Sequence, residues 1–330
     1  MTAPIRTFSL IPILIFGVLG APLAAQAQPP EKVPRLGVLG NSPTAQAGFY
    51  EAFRKGLRDL GWIEGQNILV DYRWAEGHSD RFPALAAELL ALHPDVIFAP
   101  SSIYVAAVKP LTATIPVVFS THADPIGSGD IVSLAHPGGN ITGIAQMQTQ
   151  VNTKALELLK ETLPKLSQVA VLWDPATPSH RPGLKAVEDA AQGLQVQLRP
   201  VGVQRGEDLE STFASLGRER AGALLVFNST VFFSERHRIA DLALKHRLPT
   251  ASVPREYADA GCLLSYGANL PELFRQAATY VDKILKGAMP ADLPVQQATT
   301  FEFVINLKTA KTLGLTIPKS LLSRADEVIQ

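Results

Sequence analysis

The stretch Arg35-Leu36-Gly37-Val38-Leu39, the helical spacing Phe49, Phe53, Leu57, Leu60 and the run Ile68-Leu69-Val70-Asp71-Tyr72 together decide the fold. Arg35 to Leu39 is short and apolar, as a buried strand requires. Ala47 to Leu60 carries its apolar residues on one helical face and is ended by Gly61. Ile68 to Tyr72 is a second strand, so the order is strand, helix, strand, the unit of a parallel sheet with crossover helices. The alternation continues. Ser79 caps a helix bearing Phe82, Leu85, Leu89 and Leu92, Asp95 to Ala99 is a strand, Ile103 to Thr112 a helix and Pro116 to Phe119 a fourth strand. The second half repeats the order with a different sequence: strand Val169 to Trp173, helix Gly183 to Leu194, strand Gln195 to Val201, helix Asp208 to Arg220, strand Ala223 to Phe227, helix Phe232 to His246 and strand Thr250 to Val253. The fold class that follows is α/β, with two doubly wound parallel-sheet lobes.

Asn140 to Val151 is too short and polar to be a lobe and is expected to cross between them, followed by a helix over Thr153 to Leu163. The tail from Leu263 to Gln330 holds a strong helix, Leu270 to Leu285, with Leu273, Phe274, Ala277, Val281 and Leu285 as its apolar or small face. Too small for a third domain, the tail is expected to lie back across both lobes and to join them through a multi-strand hinge. The expected division is 33–145 plus about 268–300 for one lobe, and 146–267 plus about 301–330 for the other.

Residues 1–27 have the three-part layout of a cleaved signal peptide: basic Arg6, an apolar stretch from Phe8 to Leu19 and the small-residue site Ala25-Gln26-Ala27. Cleavage would leave Gln28 first. The apolar run is too short for about 30 Å of hydrocarbon and is interrupted by Pro12 and Pro22, which argues against a membrane anchor. No cysteine stands at the cleavage site to carry a lipid, so an exported, freely diffusing protein is expected.

The 330 residues are 46% hydrophobic, and 30 basic residues balance 30 acidic ones without a lysine or arginine block. Disorder is excluded by the first figure, and no electrostatic feature points to nucleic acid or an anionic membrane by the second. Cys262 is the sole cysteine, so no internal disulfide forms, and its neighbours Gly261 and Leu263 suit a small buried residue better than a nucleophile.

In an open parallel sheet a ligand sits beyond the carboxyl ends of the strands, where helix N-termini turn free amides into a crevice. At those positions the first half has Gly40-Asn41-Ser42-Pro43-Thr44, Pro100-Ser101-Ser102 and Ser120 to Pro125, and the second half has Asp174 to Ser179, Asn228-Ser229-Thr230 and, after a tail strand, Ser265-Tyr266-Gly267. Both lobes therefore offer small hydroxyl and amide groups at one edge. Candidate ligand contacts are Asn41, Ser42, Ser101, Ser102, Asp124, Pro125, Asp174, Asn228 and Tyr266, with Ser101, Ser102 and Asn228 favoured because they follow central strands directly. Each is equally suited to helix capping. Trp173, Tyr104 and Phe232 are further candidates to stack on a flat ligand, although packing explains Trp173 and Phe232 better.

Catalytic equipment is missing from the sequence. No nucleophile elbow, phosphate loop, dinucleotide fingerprint or S-x-x-K pair occurs. The histidines His78, His93, His122, His136, His180, His237 and His246 show no metal-ligand spacing, so no metal or other cofactor is expected. His122 and His180 lie on cleft-edge loops and are minor contact candidates.

Specific stretches resemble a known family: Gly56 to Trp62 with Glu64 to Asn67, Tyr72 to Gly77, Asp124-Pro125, His136 to Gly143, Val169 to Pro175, Ser265 to Gly267, Tyr280 to Gly287, and Phe301 to Gly314 with its core Ile305-Asn306-Leu307-Lys308-Thr309-Ala310. They are similar to the exported substrate-binding proteins of ABC transporters of the tryptophan/tyrosine type, across essentially all of the chain after residue 27. The resemblance implies a type I periplasmic binding fold of the Venus-flytrap kind, with three crossings and closure on a small ligand. It implies pocket loops at Asn41 to Ser42, Ser101 to Ser102, Asp124 to Pro125, Asp174 and Asn228. It further implies a monomeric periplasmic receptor, not an enzyme, whose partners are an inner-membrane permease and its ATPase. For an α-amino acid ligand, Asp124 or Asp174 would meet the ammonium, and Trp173, Tyr104 or Tyr266 would form an aromatic floor. A ligand-presenting sensory protein is the second reading and an exported hydrolase the third. A LacI-like regulator would need a DNA-binding helix-turn-helix where this chain has an export signal.

Overall fold

The computed structural model describes residues 1–2, 32–219 and 221–330, so all but the first two residues of the expected export signal, and Arg220 at the end of one expected helix, lie outside the described residues. Val33–Gln330 forms one compact unit. Among the described residues no helix is long and apolar enough to cross a membrane.

In chain order, β1 (Arg35–Gly40), α1 (Ala47–Asp59), β2 (Leu69–Trp74), α2 (Phe82–Ala91), β3 (Val96–Phe98), α3 (Ser102–Val108), β4 (Val117–His122) and β5 (Ile141–Ala145) build a first lobe. The chain then crosses at Gln146 and Met147. A second lobe takes α4 (Gln148–Thr162), β6 (Gln168–Trp173), α5 (His180–Gly193), β7 (Gln197–Gly202), α6 (Leu209–Arg218), β8 (Ala223–Val226), α7 (Thr230–Ser234), α8 (Arg236–Lys245), β9 (Thr250–Ser252), α9 (Arg255–Asp259) and β10 (Leu264–Ala268). Next, α10 (Leu270–Leu285) and β11 (Gln296–Gln297) return to the first lobe. β12 (Phe301–Asn306), α11 (Leu307–Leu313), α12 (Lys319–Leu322) and β13 (Glu327–Ile329) complete the second.

The two sheets run β11-β5-β4-β3-β1-β2 and β13-β12-β10-β9-β8-β6-β7. Each contains the order 2-1-3-4-5 when its own strands are counted, the flavodoxin-like doubly wound arrangement with its crevice between the first and third strands. β10 and β12 are the antiparallel neighbours and the other pairs are parallel. The two-lobe α/β fold expected from the alternating pattern is therefore present. Central strands such as β4 and β8 are buried along their whole length, because helices cover both faces, whereas the edge strands β2 and β7 stay partly exposed.

Several boundaries differ from the sequence-based expectation, each for a local reason. The helix expected to reach Thr112 stops at Val108, and Lys109–Leu111 tightens into a 3₁₀ turn where Pro110 supplies no amide. The helix expected over Phe232 to His246 is two helices that break at Glu235. There the Ser234 hydroxyl bonds back to the Thr230 carbonyl at 3.1 Å, in competition with the helix ladder. Ile141–Ala145, expected as part of a crossing, is a buried strand held between β4 and β11. Its polar member Thr142 is satisfied by donating to the Leu293 carbonyl at 2.7 Å. Tyr266, expected in a loop, is the middle residue of β10.

One apolar cluster joins the lobes, from Leu36, Phe53 and Phe98 in the first to Leu172, Phe213 and Tyr257 in the second. α10 is central to it. It lies close along α1 because Gly56 has no side chain, and a Cβ there would stand 2.6 Å from the Arg275 carbonyl oxygen and 2.8 Å from Ala278 Cβ. The crossings are tied to one another. Asn269 caps α10 by accepting from Glu272 N at 2.9 Å while its Nδ2 donates to Glu302 at 2.7 Å, and Ala298 N donates to the Ala145 carbonyl at 2.9 Å.

Candidate ligand-binding cleft

The carboxyl ends of β1, β3 and β4 face those of β6 and β8 across a cleft in which the lobes touch. Asn41 Nδ2 donates across it to the Thr230 carbonyl at 3.2 Å and to Ser234 Oγ at 3.1 Å, and the rings of Phe49 and Phe233 meet at 5.0 Å between centroids. Between these contacts lies a cavity of about 50 Å³, the room of a few waters. From the first lobe it is lined by Gln46, Phe49, Pro100, Ser101, Ser102, Ile103, Tyr104 and Thr121, and at the first crossing by Gln146 and Gln148. Thr177, Ser179, Asn228, Ser229, Thr230 and Phe233 line it from the second lobe, and Leu270 and Phe274 complete the wall. None of these side chains is charged. Phe49, Phe233 and Phe274 form an aromatic side, since the Phe274 ring meets Phe49 at 5.3 Å between centroids, tilted by 38°.

Three lining hydroxyls, Tyr104 Oη, Ser179 Oγ and Thr230 Oγ1, are buried without a well-formed hydrogen bond in the protein, although Tyr104 has Gln46 and Thr230 as polar neighbours. Such a group costs about 1–3 kcal/mol when left unpaired in the interior, so three around one cavity mark a place where an incoming polar molecule would be held. Burial drives the Tyr104 hydroxyl far above its ordinary range, so it serves as a neutral donor.

Of the nine residues singled out from the sequence, Ser101, Ser102 and Asn228 are brought together on the cavity wall. Asn41 sits beside it as an inter-lobe contact, its Oδ1 accepting from Gly77 N at 3.1 Å. Ser42 caps the approach to α1, where its Oγ accepts from Ala45 N at 3.1 Å. Asp174 is buried, but its carboxylate is taken up by its own loop, by Ala176 N at 2.9 Å and Thr177 Oγ1 at 3.0 Å. Asp124 likewise accepts from Gly127 N at 2.8 Å, and neither it nor Pro125 lines the cavity. Tyr266 stacks on Phe301 at 5.9 Å instead. Phe232 is fully buried in the core while its neighbour Phe233 faces the cavity. Trp173 lies under the Arg181 guanidinium, 5.9 Å from its ring centre. Gln46, Gln146 and Gln148 have no signal in the sequence beyond their polarity, and Thr177 and Ser179 share a loop with the more polar Asp174.

His180 holds two cavity loops together. Its Nδ1 accepts from Asp174 N at 3.0 Å, so the proton is on Nε2, which donates to the Asn228 carbonyl at 3.0 Å. Burial lowers its pKa from 6.5 to about 4. Glu256 in α9 has the opposite shift, raised from 4.5 to about 7 by burial. Between pH 6.5 and 4 the unfolded chain binds a proton at His180 that the native chain refuses, so stability falls on acidification. Between pH 4.5 and 7 the native chain keeps a proton at Glu256 that the unfolded chain has lost, so stability falls as pH rises. Each effect amounts to about 3 kcal/mol across its window, and the two nearly cancel. Removing one exposes the other. In urea titrations, the stability of Glu256→Gln relative to the parent is expected to drop by about 3 kcal/mol from pH 7 to 4.5. A difference that does not change with pH would contradict this assignment.

Comparison with known proteins agrees with this architecture. A "Tyrosine-binding protein" of Clostridioides difficile (strain R20291) is 24% identical over 265 residues, 80% of this chain and 76% of that protein. A solved conserved domain protein from Vibrio cholerae is 26% identical with a TM-score of 0.84, covering 90% of this chain and 100% of its own. The ABC domain from Streptococcus pneumonia, solved in complex with L-Trp, shares the fold with a TM-score of 0.82 at 24% identity, covering 90% of this chain and 99% of its own. The model of the family described as ABC transporter substrate binding protein matches residues 42–329. Its members bind solutes and are not enzymes. With the second sheet, every strand of the first after β1, the crossings and the cavity-lining residues inside that match, this chain belongs to the family of ABC transporter substrate-binding proteins.

Proposed function

We propose that this protein is a periplasmic solute receptor that encloses a small organic molecule between its lobes, an aromatic amino acid being favoured, and delivers it to an inner-membrane permease and its ATPase. The observation that carries the reading is the cavity itself: an uncharged lining with three buried hydroxyls lacking a well-formed hydrogen bond, beside a wall of phenylalanine rings. The cavity of about 50 Å³ is smaller than an amino acid, so the lobes would have to part further to admit one; a flat apolar side group then suits the rings in chemistry, and a polar end group suits the hydroxyls and amides. A zwitterion is net neutral, which suits a lining without charges, its carboxylate facing the N-terminal end of α5 near Ser179. The tyrosine-binding relative and the L-Trp complex point to the same ligand class. The sequence features of residues 1–27 support export, and a single copy of the chain builds the whole cavity, which supports a monomer.

Ligand bound to the native state alone raises the unfolding temperature by mass action. A thermal-shift screen across amino acids, purines and aromatic acids is expected to give its largest shift with an aromatic amino acid. Ser101→Ala and Asn228→Ala should each weaken that ligand by about three- to tenfold, the effect of one neutral hydrogen bond. Unchanged affinity in both variants would sink the site assignment. A largest shift with a purine or a simple acid would move the ligand class.

A further inference from the structure

Behind Ser102 runs a line of buried polar groups reaching away from the cavity. Ser102 Oγ lies 3.3 Å from His122 Nδ1 and accepts from Ala123 N at 3.1 Å. His122, fully buried, places Nε2 2.9 Å from Asp130 Oδ2. Asp130 also receives Lys109 Nζ at 2.9 Å and the Ser128 hydroxyl at 2.6 Å. Burial would raise the Asp130 carboxyl, but the hydrogen bonds from His122, Ser128 and Lys109 prevail and hold it below its ordinary value, so it is ionised and can only accept.

The proton positions follow from that. An ionised Asp130 requires the proton on His122 Nε2. Where the ring carries that proton alone, Nδ1 is an acceptor, and the partner that can donate to it is the Ser102 hydroxyl. A serine oxygen has one proton and two lone pairs. The proton goes to His122, one lone pair is filled by Ala123 N–H, and the position left open is an acceptor on a residue that lines the cavity.

We propose that Ser102 is a dedicated hydrogen-bond acceptor for the ligand, held in that state by His122 and Asp130 as positioning residues, and that it receives the ammonium group of the bound amino acid. The proposal rests on the amino-acid reading above and deepens it. No carboxylate lines the cavity, and the nearby Asp174 is consumed by its own loop. The charge of Asp130, passed through the polarised imidazole, makes Ser102 a better acceptor than a free hydroxyl while keeping the charge away from the ligand's own carboxylate. Hydrolytic triads use the same residue types. In a solute-binding family the arrangement orients a hydroxyl instead of activating it.

Two measurements on the full protein test this. Nitrogen-15 NMR of the histidine rings, with the His122 signals identified by their loss in His122→Phe, is expected to show the Nε2–H tautomer and a shift of Nδ1 in Ser102→Ala. An Nδ1–H tautomer, or a doubly protonated ring, would overturn the acceptor assignment. Calorimetric titration then compares L-tyrosine with 3-(4-hydroxyphenyl)propanoate, and L-tryptophan with indole-3-propanoate, each pair differing by the ammonium group. Ser102→Ala and His122→Phe are expected to lose about ten- to hundredfold in affinity for the amino acid, as for a hydrogen bond to a charged group, and less than threefold for the des-amino acid. Equal losses for both would show a merely structural role and overturn the proposal. If the parent protein binds neither amino acid, the ammonium assignment falls together with the reading it rests on, while the tautomer still decides whether Ser102 is an acceptor. Should His122→Phe fail to fold, the tautomer is read from the parent and Ser102→Ala spectra.

Discussion

Gly143→Ala is expected to lower the unfolding free energy by more than about 3 kcal/mol, the range of severe backbone strain combined with a steric clash. Gly143 pairs with Phe119 across β4 and β5 and has a φ of +146°, a region that residues with a Cβ rarely enter. An added Cβ would overlap the Phe119 carbonyl oxygen and stand 2.7 Å from the Phe119 nitrogen. These are backbone atoms in the middle of a sheet, so no side chain can swing away to relieve the contact. β4 would have to part from β5. The damage would reach the cleft, because β4 ends at Thr121 and His122 and β5 leads directly into Gln146. Urea unfolding followed by circular dichroism measures the effect. A loss below about 1 kcal/mol, within the ordinary range for a point mutation, would show that the strands can adjust and that the glycine is not required.

Phe274→Ala is expected to cost about 3–5 kcal/mol, the usual range for removing a fully buried aromatic ring. Phe274 lies on α10 at 2% exposure, with ring centroids of Phe49, Tyr50 and Phe98 at 5.3, 5.4 and 5.5 Å. Its removal opens a void between α10, α1 and β3 that helices already in close contact cannot collapse to fill. Because Phe49 also meets Phe233 across the cleft, the same substitution loosens the lobe contact and the aromatic side of the cavity. Denaturant midpoints report the stability, and ligand affinity should fall with it. Phe274→Leu, which keeps most of the volume, should retain more than half of the lost stability. A Phe274→Ala protein as stable as the parent would remove α10 from the core of the first lobe.

The two-lobe α/β fold was legible in the sequence because alternation of short apolar runs with amphipathic segments is a local property. Arg35 to Leu39 and Val169 to Trp173 lie in strands wherever the rest of the chain goes, since their runs match a strand buried on both faces. Boundaries were less legible where a tertiary partner decides them. Ile141–Ala145 is a strand because β4 and β11 lie on either side, and β11 comes from a segment some 150 residues later in the chain.

The cleft was legible by composition and not by direction. Polar strand-end loops were visible at Asn41, Ser101, Asp174 and Asn228. Which atoms in them face inward depends on how each loop spends its own hydrogen bonds. Asp174, the most polar residue of its loop, is turned inside by Ala176 N and Thr177, which leaves Ser179 facing the cavity. Phe232 and Phe233 differ by one helical step of about 100°, enough to send one into the core and the other to the cavity. Tyr266 follows the alternation of a strand whose side chains point to opposite faces, and its face meets Phe301.

By itself, the sequence determined what could form locally: strands, helices, the polar character of one sheet edge and the absence of catalytic motifs. Only the tertiary structure decided which groups meet. The Ser102, His122 and Asp130 line joins residues 20 and 8 positions apart through a turn of the sheet edge, and the aromatic side joins Phe49, Phe233 and Phe274 from three distant segments. The physical reason is that side-chain hydrogen bonding and ring packing act over a few ångströms in space, whereas sequence pattern records neighbours along the chain.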